Sequence, residues 1–235
     1  MKITTLTSLL LVFITFNQGL AFPVPERTAN TSNQIPGFSV ELMEPFRATT
    51  DHLQQKLRKA RRKRAFLRYM FYYVHRKHLK RYKQYSLLTD VMKNGSYDCV
   101  SGSALYAIML EQYGFSYQIW EMDYHVYLTV SVDDMTFVLE TTDPVHGFIE
   151  LPKEIAEHRE YYEQQAELLH QEAGSNDPLI HRSITLTQLA GLQLYNRAIN
   201  AWNNRQQKQA QQFAAQALDY YPAERIACLA QFIAH

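Results

Sequence analysis

The chain changes its hydrophobic period several times, and each change marks an element. Phe66, Met70 and Tyr73 recur at helical spacing inside a stretch, 50–83, that contains no Gly or Pro. With Thr50-Asp51 as a cap, the pattern predicts one helix over 50–83. Asn94-Gly95-Ser96 is a turn signal. Ala104, Ile108 and Leu110 predict a helix over 99–113, stopped by Gly114. The segments 115–121, 124–132 and 136–142 are rich in β-branched and aromatic residues and read as strands. Asp133-Asp134 makes a hairpin of the last two. An acidic helix is predicted over 152–173, a break at Asn176-Asp177-Pro178, and a helical hairpin over 185–203 and 206–219 that ends at Pro222. The fold class is therefore α+β: a helix beginning at Cys99 packed on a small antiparallel sheet, flanked by N-terminal and C-terminal helices.

The first forty residues read differently. Lys2 precedes an apolar run, Leu6 to Phe16, which is too short to cross a bilayer. Gly19-Leu20-Ala21 supplies small residues before Phe22, the pattern of a cleaved signal peptide over 1–21. Residues 22–40, rich in Pro, Thr, Ser and Asn, form an extended leader. The expected organisation is then an α+β domain over 41–175, with its core at 94–150, and a helical hairpin over 176–235. Ala210, Ala217 and Pro222 give that hairpin a resemblance to a tetratricopeptide repeat. The protein is expected to be secreted or periplasmic and not membrane-spanning.

Charge adds one feature. The net charge is +1, so no overall field points to a polyanion. Yet Lys56 to Lys83 carries thirteen of the twenty-four Lys and Arg and no acid. This basic helix, 56–83, either touches an anionic surface or is a solvated face beside the acidic segment 150–172; the second reading is preferred. Export argues against nucleic acid. With Cys99 and Cys228 as the only cysteines, a disulfide between them is the minor reading. No HExxH or comparable spacing is present, so neither a metal site nor a cofactor is expected.

The candidate chemistry lies in the middle third. A thiol nucleophile needs help to ionise, since free Cys titrates at about 8.5. A helix N-terminus favours the anion, a neighbouring imidazole takes the proton, and a third group orients that imidazole. Cys99 follows a turn at a helix start, and His125 begins a strand. With the turn at Asp133-Asp134, paired positions sum to about 267. His125 then faces Thr142, with Glu140 diagonal to it on the same side and Asp143 one step beyond. Such a site predicts a low thiol pKa, although Asp98 next to Cys99 works against it.

The stretch from Tyr97 to Pro144 resembles the core of the transglutaminase-like superfamily, relatives of papain in fold. The residues that carry the resemblance are Cys99 heading a helix with Ala104, Leu105 and Leu110 before Gly114, then His125-Val126-Tyr127, then Glu140-Thr141-Thr142. The resemblance implies Cys99 as nucleophile, His125 as base, and Glu140 or Asp143 as orienting carboxylate. Glu140 is preferred on strand position, although Asp is commoner in the family. It implies acyl chemistry through a thioester on a peptide or protein amide, with Asn94 as a candidate oxyanion donor. The alternative is a catalytically silent module of the same fold that docks a partner through the basic helix and the helical tail.

Overall fold

The computed structural model describes residues 44–234. The expected signal peptide and leader lie outside the described residues.

In place of one helix over 50–83 there are two, α1 (Arg47–Lys59) and α2 (Lys63–His78). No Gly or Pro breaks them; charge does. Six of the seven residues 58–64 are cationic, and like charges three and four apart destabilise a helix. Ala60 and Arg62 are extended, so three cations end α1, where the helix dipole welcomes them. The two helices pack side by side, with His52 stacked on Tyr73 at 4.6 Å and hydrogen-bonded to Tyr69 at 2.7 Å.

The chain continues through β1 (Arg81–Tyr82), α3 (Leu88–Asn94) and β2 (Ser96–Tyr97), none of them expected, into α4 (Cys99–Gln112). The helix α4 is apolar on every side, and its residues Val100 to Ala107 are all buried. Such a helix belongs at the centre of a fold. Phe71 of α2 stacks on Tyr106 at 5.3 Å, and the Tyr106 hydroxyl donates to the Phe71 carbonyl at 2.6 Å.

The strands β3 (Ser116–Met122), β4 (Val126–Val132) and β5 (Met135–Leu139) form the expected antiparallel ribbon. The pairs Val132 with Met135 and Leu128 with Leu139 have the register expected from the turn position. The strands β6 (Phe148–Ile149) and β7 (His181–Ile184) flank them, giving the order β6-β5-β4-β3-β7. Alternation then sorts the side chains. Val126, Leu128, Val130, Phe137 and Leu139 join the core around α4. Met122, Tyr127 and Val138 face the other way, onto Ile155 and Tyr162 of α5 (Pro152–Ala173).

The C-terminal region holds three helices: α6 (Leu186–Asn203), α7 (Gln207–Tyr220) and, unanticipated, α8 (Glu224–Ala234). Leu186, Leu189, Tyr221 and Ile226 belong to the same core as α4. Gly191 lets α6 and Tyr221 meet closely, since a Cβ there would lie 2.6 Å from the Tyr221 Cβ. Among the described residues no helix is long and apolar enough to cross a membrane.

Candidate functional site

Cys99 opens α4, directly after Asp98. The Asp98 carboxylate caps the helix by accepting from the Ser101 amide at 2.8 Å and its hydroxyl at 2.7 Å, while the Ser101 hydroxyl accepts from the Asp98 amide at 2.8 Å. This reciprocal cap fixes where the helix begins and so where the thiol stands. Cys99 and Cys228 are both free thiols, which removes the disulfide reading.

His125 lies at the end of β4, with its carbonyl accepting from Met122 at 2.8 Å. Its Nε2 is 2.6 Å from Glu140 Oε2. Both side chains are buried, at 7% and 6% exposure. The remaining imidazole nitrogen, Nδ1, is left for a second partner. The Val126 amide, one residue along, faces the Cys99 sulfur. The thiol packs against the core around α4, and the imidazole packs against Tyr162 of α5.

Glu140 is the carboxylate that meets His125; Asp143 does not. Asp143 Oδ1 instead accepts from the Val145 and His146 amides, each at 2.8 Å, closing the loop after β5. Glu140 Oε1 accepts from the Thr142 amide at 2.9 Å and its hydroxyl at 2.5 Å. Its Oε2 also receives His158 Nε2 at 3.0 Å and the Tyr162 hydroxyl at 3.3 Å. Burial by itself would raise its pKa, but His125, His158 and Thr142 together hold it far below the usual carboxylate range.

Two helices that sequence reasoning left out of the site complete it. From α5, Tyr162 lies flat on the His125 ring, with centroids 4.0 Å apart and planes at 5°. His158 is set edge-on to Tyr127 at 4.9 Å. His158 and Tyr162 are spaced i, i+4 on one face of an acidic-looking helix, a signal readable in the sequence only once a target for that face is known. From α2, His75 Nε2 bonds the Thr141 carbonyl at 3.1 Å, and burial lowers its pKa, so the ring is held neutral as a donor.

Close approach is secured by two glycines. A Cβ on Gly102, one turn after Cys99, would lie 2.7 Å from Thr141 Oγ1. A Cβ on Gly147 would lie 2.1 Å from the Glu140 carbonyl, across the loop that the Glu140 amide and Gly147 carbonyl close at 2.7 Å.

The expectation of a low-pKa thiol is not met. Burial, then the charges of Asp98 and Glu140, push the Cys99 thiol well up, against the Val126 and Val100 amides. The helix N-terminus that should favour a thiolate is already occupied by the capping Asp98 carboxylate. Asn94 also has other work: its side-chain carbonyl accepts from the Ser96 amide at 2.9 Å. Among the described residues the basic helix meets acid at one place, Arg64 and Arg68 meeting Glu150 at 3.0 and 3.4 Å.

The sequence spacing suggested no metal site, yet the fold assembles a donor set of that type. His125 just before β4, Glu140 just after β5 and His158 of α5 bring ligand atoms within 4.8 Å of one another. Comparison with family models, curated proteins and solved structures finds no match to this chain.

Proposed function

We propose that the protein is a thiol-dependent acyl-transfer enzyme of transglutaminase-like type, acting on an amide or peptide carbonyl. The observation that carries this reading is the 2.6 Å bond from His125 Nε2 to the buried Glu140 carboxylate. Glu140 keeps the proton on Nε2, so the Nδ1 lone pair is the base. Because the resting sulfur is a protonated thiol, its proton passes to Nδ1 as the sulfur attacks the carbonyl; no standing ion pair is required. The imidazolium returns the proton to the leaving amine, leaving a thioester on Cys99. Water or an amine then attacks, with Nδ1 again taking a proton, and the thiol is restored. The N-terminal run Leu6 to Phe16 supports the same reading for location, outside the cytoplasm, secreted or periplasmic.

The test is acylation by p-nitrophenyl acetate, followed by intact mass and peptide mapping. The expected result is a hydroxylamine-labile adduct on Cys99, formed about 10²–10⁴-fold more slowly in His125→Asn and Glu140→Gln. Its rate rises towards alkaline pH with no low-pH plateau. A silent docking module of the same fold, favoured by the raised thiol pKa, instead gives no adduct, or one whose rate ignores both substitutions.

A further inference from the structure

His158 has no place in a three-residue thiol site, yet it is built into this one. Its side chain is 9% exposed, its Nε2 is on Glu140, and its Nδ1 is buried without a hydrogen-bond partner. Two imidazole nitrogens therefore converge on one carboxylate oxygen, at 2.6 and 3.0 Å. A tetrahedral zinc ion with bonds of about 2.0–2.1 Å needs its donor atoms roughly 3.3 Å apart. Widening the two contacts to Glu140 by less than about 1 Å, and drawing together the two nitrogens, which lie within 4.8 Å of each other, reaches that spacing. Two imidazoles and a carboxylate, buried together, suit zinc far better than the oxygen-seeking calcium or magnesium.

We propose that His125, Glu140 and His158 form a reversible zinc site whose occupation switches the thiol chemistry off; the switching, though not the binding, rests on the function proposed above. The chemistry makes the two states exclusive. Each ring now carries its proton on Nε2, directed at Glu140. To bind the ion, each gives its Nε2 lone pair, and its proton moves to Nδ1 by way of solvent, with no net proton released. In His125 that proton occupies the nitrogen needed as base. In His158 it becomes a buried donor with no acceptor, which weakens the site and keeps it reversible.

The experiment uses the folded full chain and zinc chloride, read by competition with a chromophoric chelator and by calorimetry. The expected result is one zinc ion per chain at the strongest site, weakened at least about tenfold in His158→Gln. His146→Gln, an exposed histidine on the neighbouring loop, leaves the affinity unchanged. Circular dichroism confirms that the variants fold, and Glu140→Gln serves as a second ligand variant. Absence of zinc binding, or equal affinity in wild type, His158→Gln and Glu140→Gln, overturns the proposal. So does ester acylation of Cys99 that proceeds at full rate in zinc-saturated protein. If Cys99 is never acylated but zinc binds with the expected variant pattern, the acyl-transfer reading fails while the metal site stands.

Discussion

At the scale of single residues, the site depends on contacts with no slack. Gly102 is the clearest case, because α4 can present Cys99 to the strand ends only while nothing stands between it and Thr141. Gly102→Ala must displace Thr141, whose carbonyl His75 holds. We expect a loss of about 1–3 kcal/mol in denaturant unfolding, typical of overpacking, and a larger loss of Cys99 acylation than stability alone explains. An unchanged midpoint would show that the helix and loop can part freely. The histidines also set an acid limit. Burial, then Lys77 and Lys80, lower His78 to about 4, and burial lowers His75. The unfolded chain binds these protons near pH 6.5 and the folded chain only at lower pH. Stability from this source is therefore complete above about pH 6.5 and drains away as pH falls towards 4. The depressed Glu140 extends the loss below the ordinary carboxylate range of about 4.3. A melting series from pH 7.5 to 4 should show the fall, and His78→Gln should flatten it between pH 6.5 and 4. Parallel curves for the two proteins would refute the attribution to His78.

At the scale of elements, most of the central third was legible. The apolar period of 99–112, the β-branched runs and the turn at Asp133-Asp134 gave the helix, the ribbon and its register, and that register put Glu140 beside His125. What was hidden had physical reasons. The break between α1 and α2 comes from repulsion along a cationic run, while a search for breakers looks for Gly and Pro. The strands β6 and β7 have two and four residues, too few to show a period. His158, Tyr162 and His75 entered the site through tertiary packing, which no local pattern records. The hairpin itself is not at its optimum. Asp133 and Asp134 both have positive φ, 51° and 61°, which Asn and Gly adopt at lower cost. The double substitution Asp133→Asn, Asp134→Gly should stabilise the protein by up to about 1 kcal/mol in urea titration. A destabilised variant would mean that these carboxylates serve the turn in some other way.

At the scale of the whole molecule, the C-terminal helices are tied to the sheet through Glu121. This fully buried carboxylate lies on β3. It meets Arg225 of α8 at 2.9 Å, Arg182 of β7 at 2.8 Å and the Tyr221 hydroxyl at 2.5 Å. Burial alone would raise its pKa, but Arg225 and Arg182 outweigh it and hold the carboxyl below its ordinary value. Removing one partner of such a group strands the others, so Glu121→Gln should cost about 3–5 kcal/mol in chemical unfolding. A loss under about 1 kcal/mol would mean that the helices are held by apolar packing alone. The sequence marked these helices as a hairpin because their alanine pattern is local, whereas the ion network that attaches them spans distant positions.

That attachment has a consequence for the order in which the chain is made. Glu121 and Arg225 are separated by 104 positions, so at about 5–20 residues per second the carboxylate leaves the ribosome several seconds before its guanidinium. Arg182 follows Glu121 by 61 positions, so for the last part of that interval the carboxylate on the inner face of the strand leading to His125 has one of its two cationic partners and lacks the other. The ion network that ties the C-terminal helices to the sheet is complete only once α8 has been made.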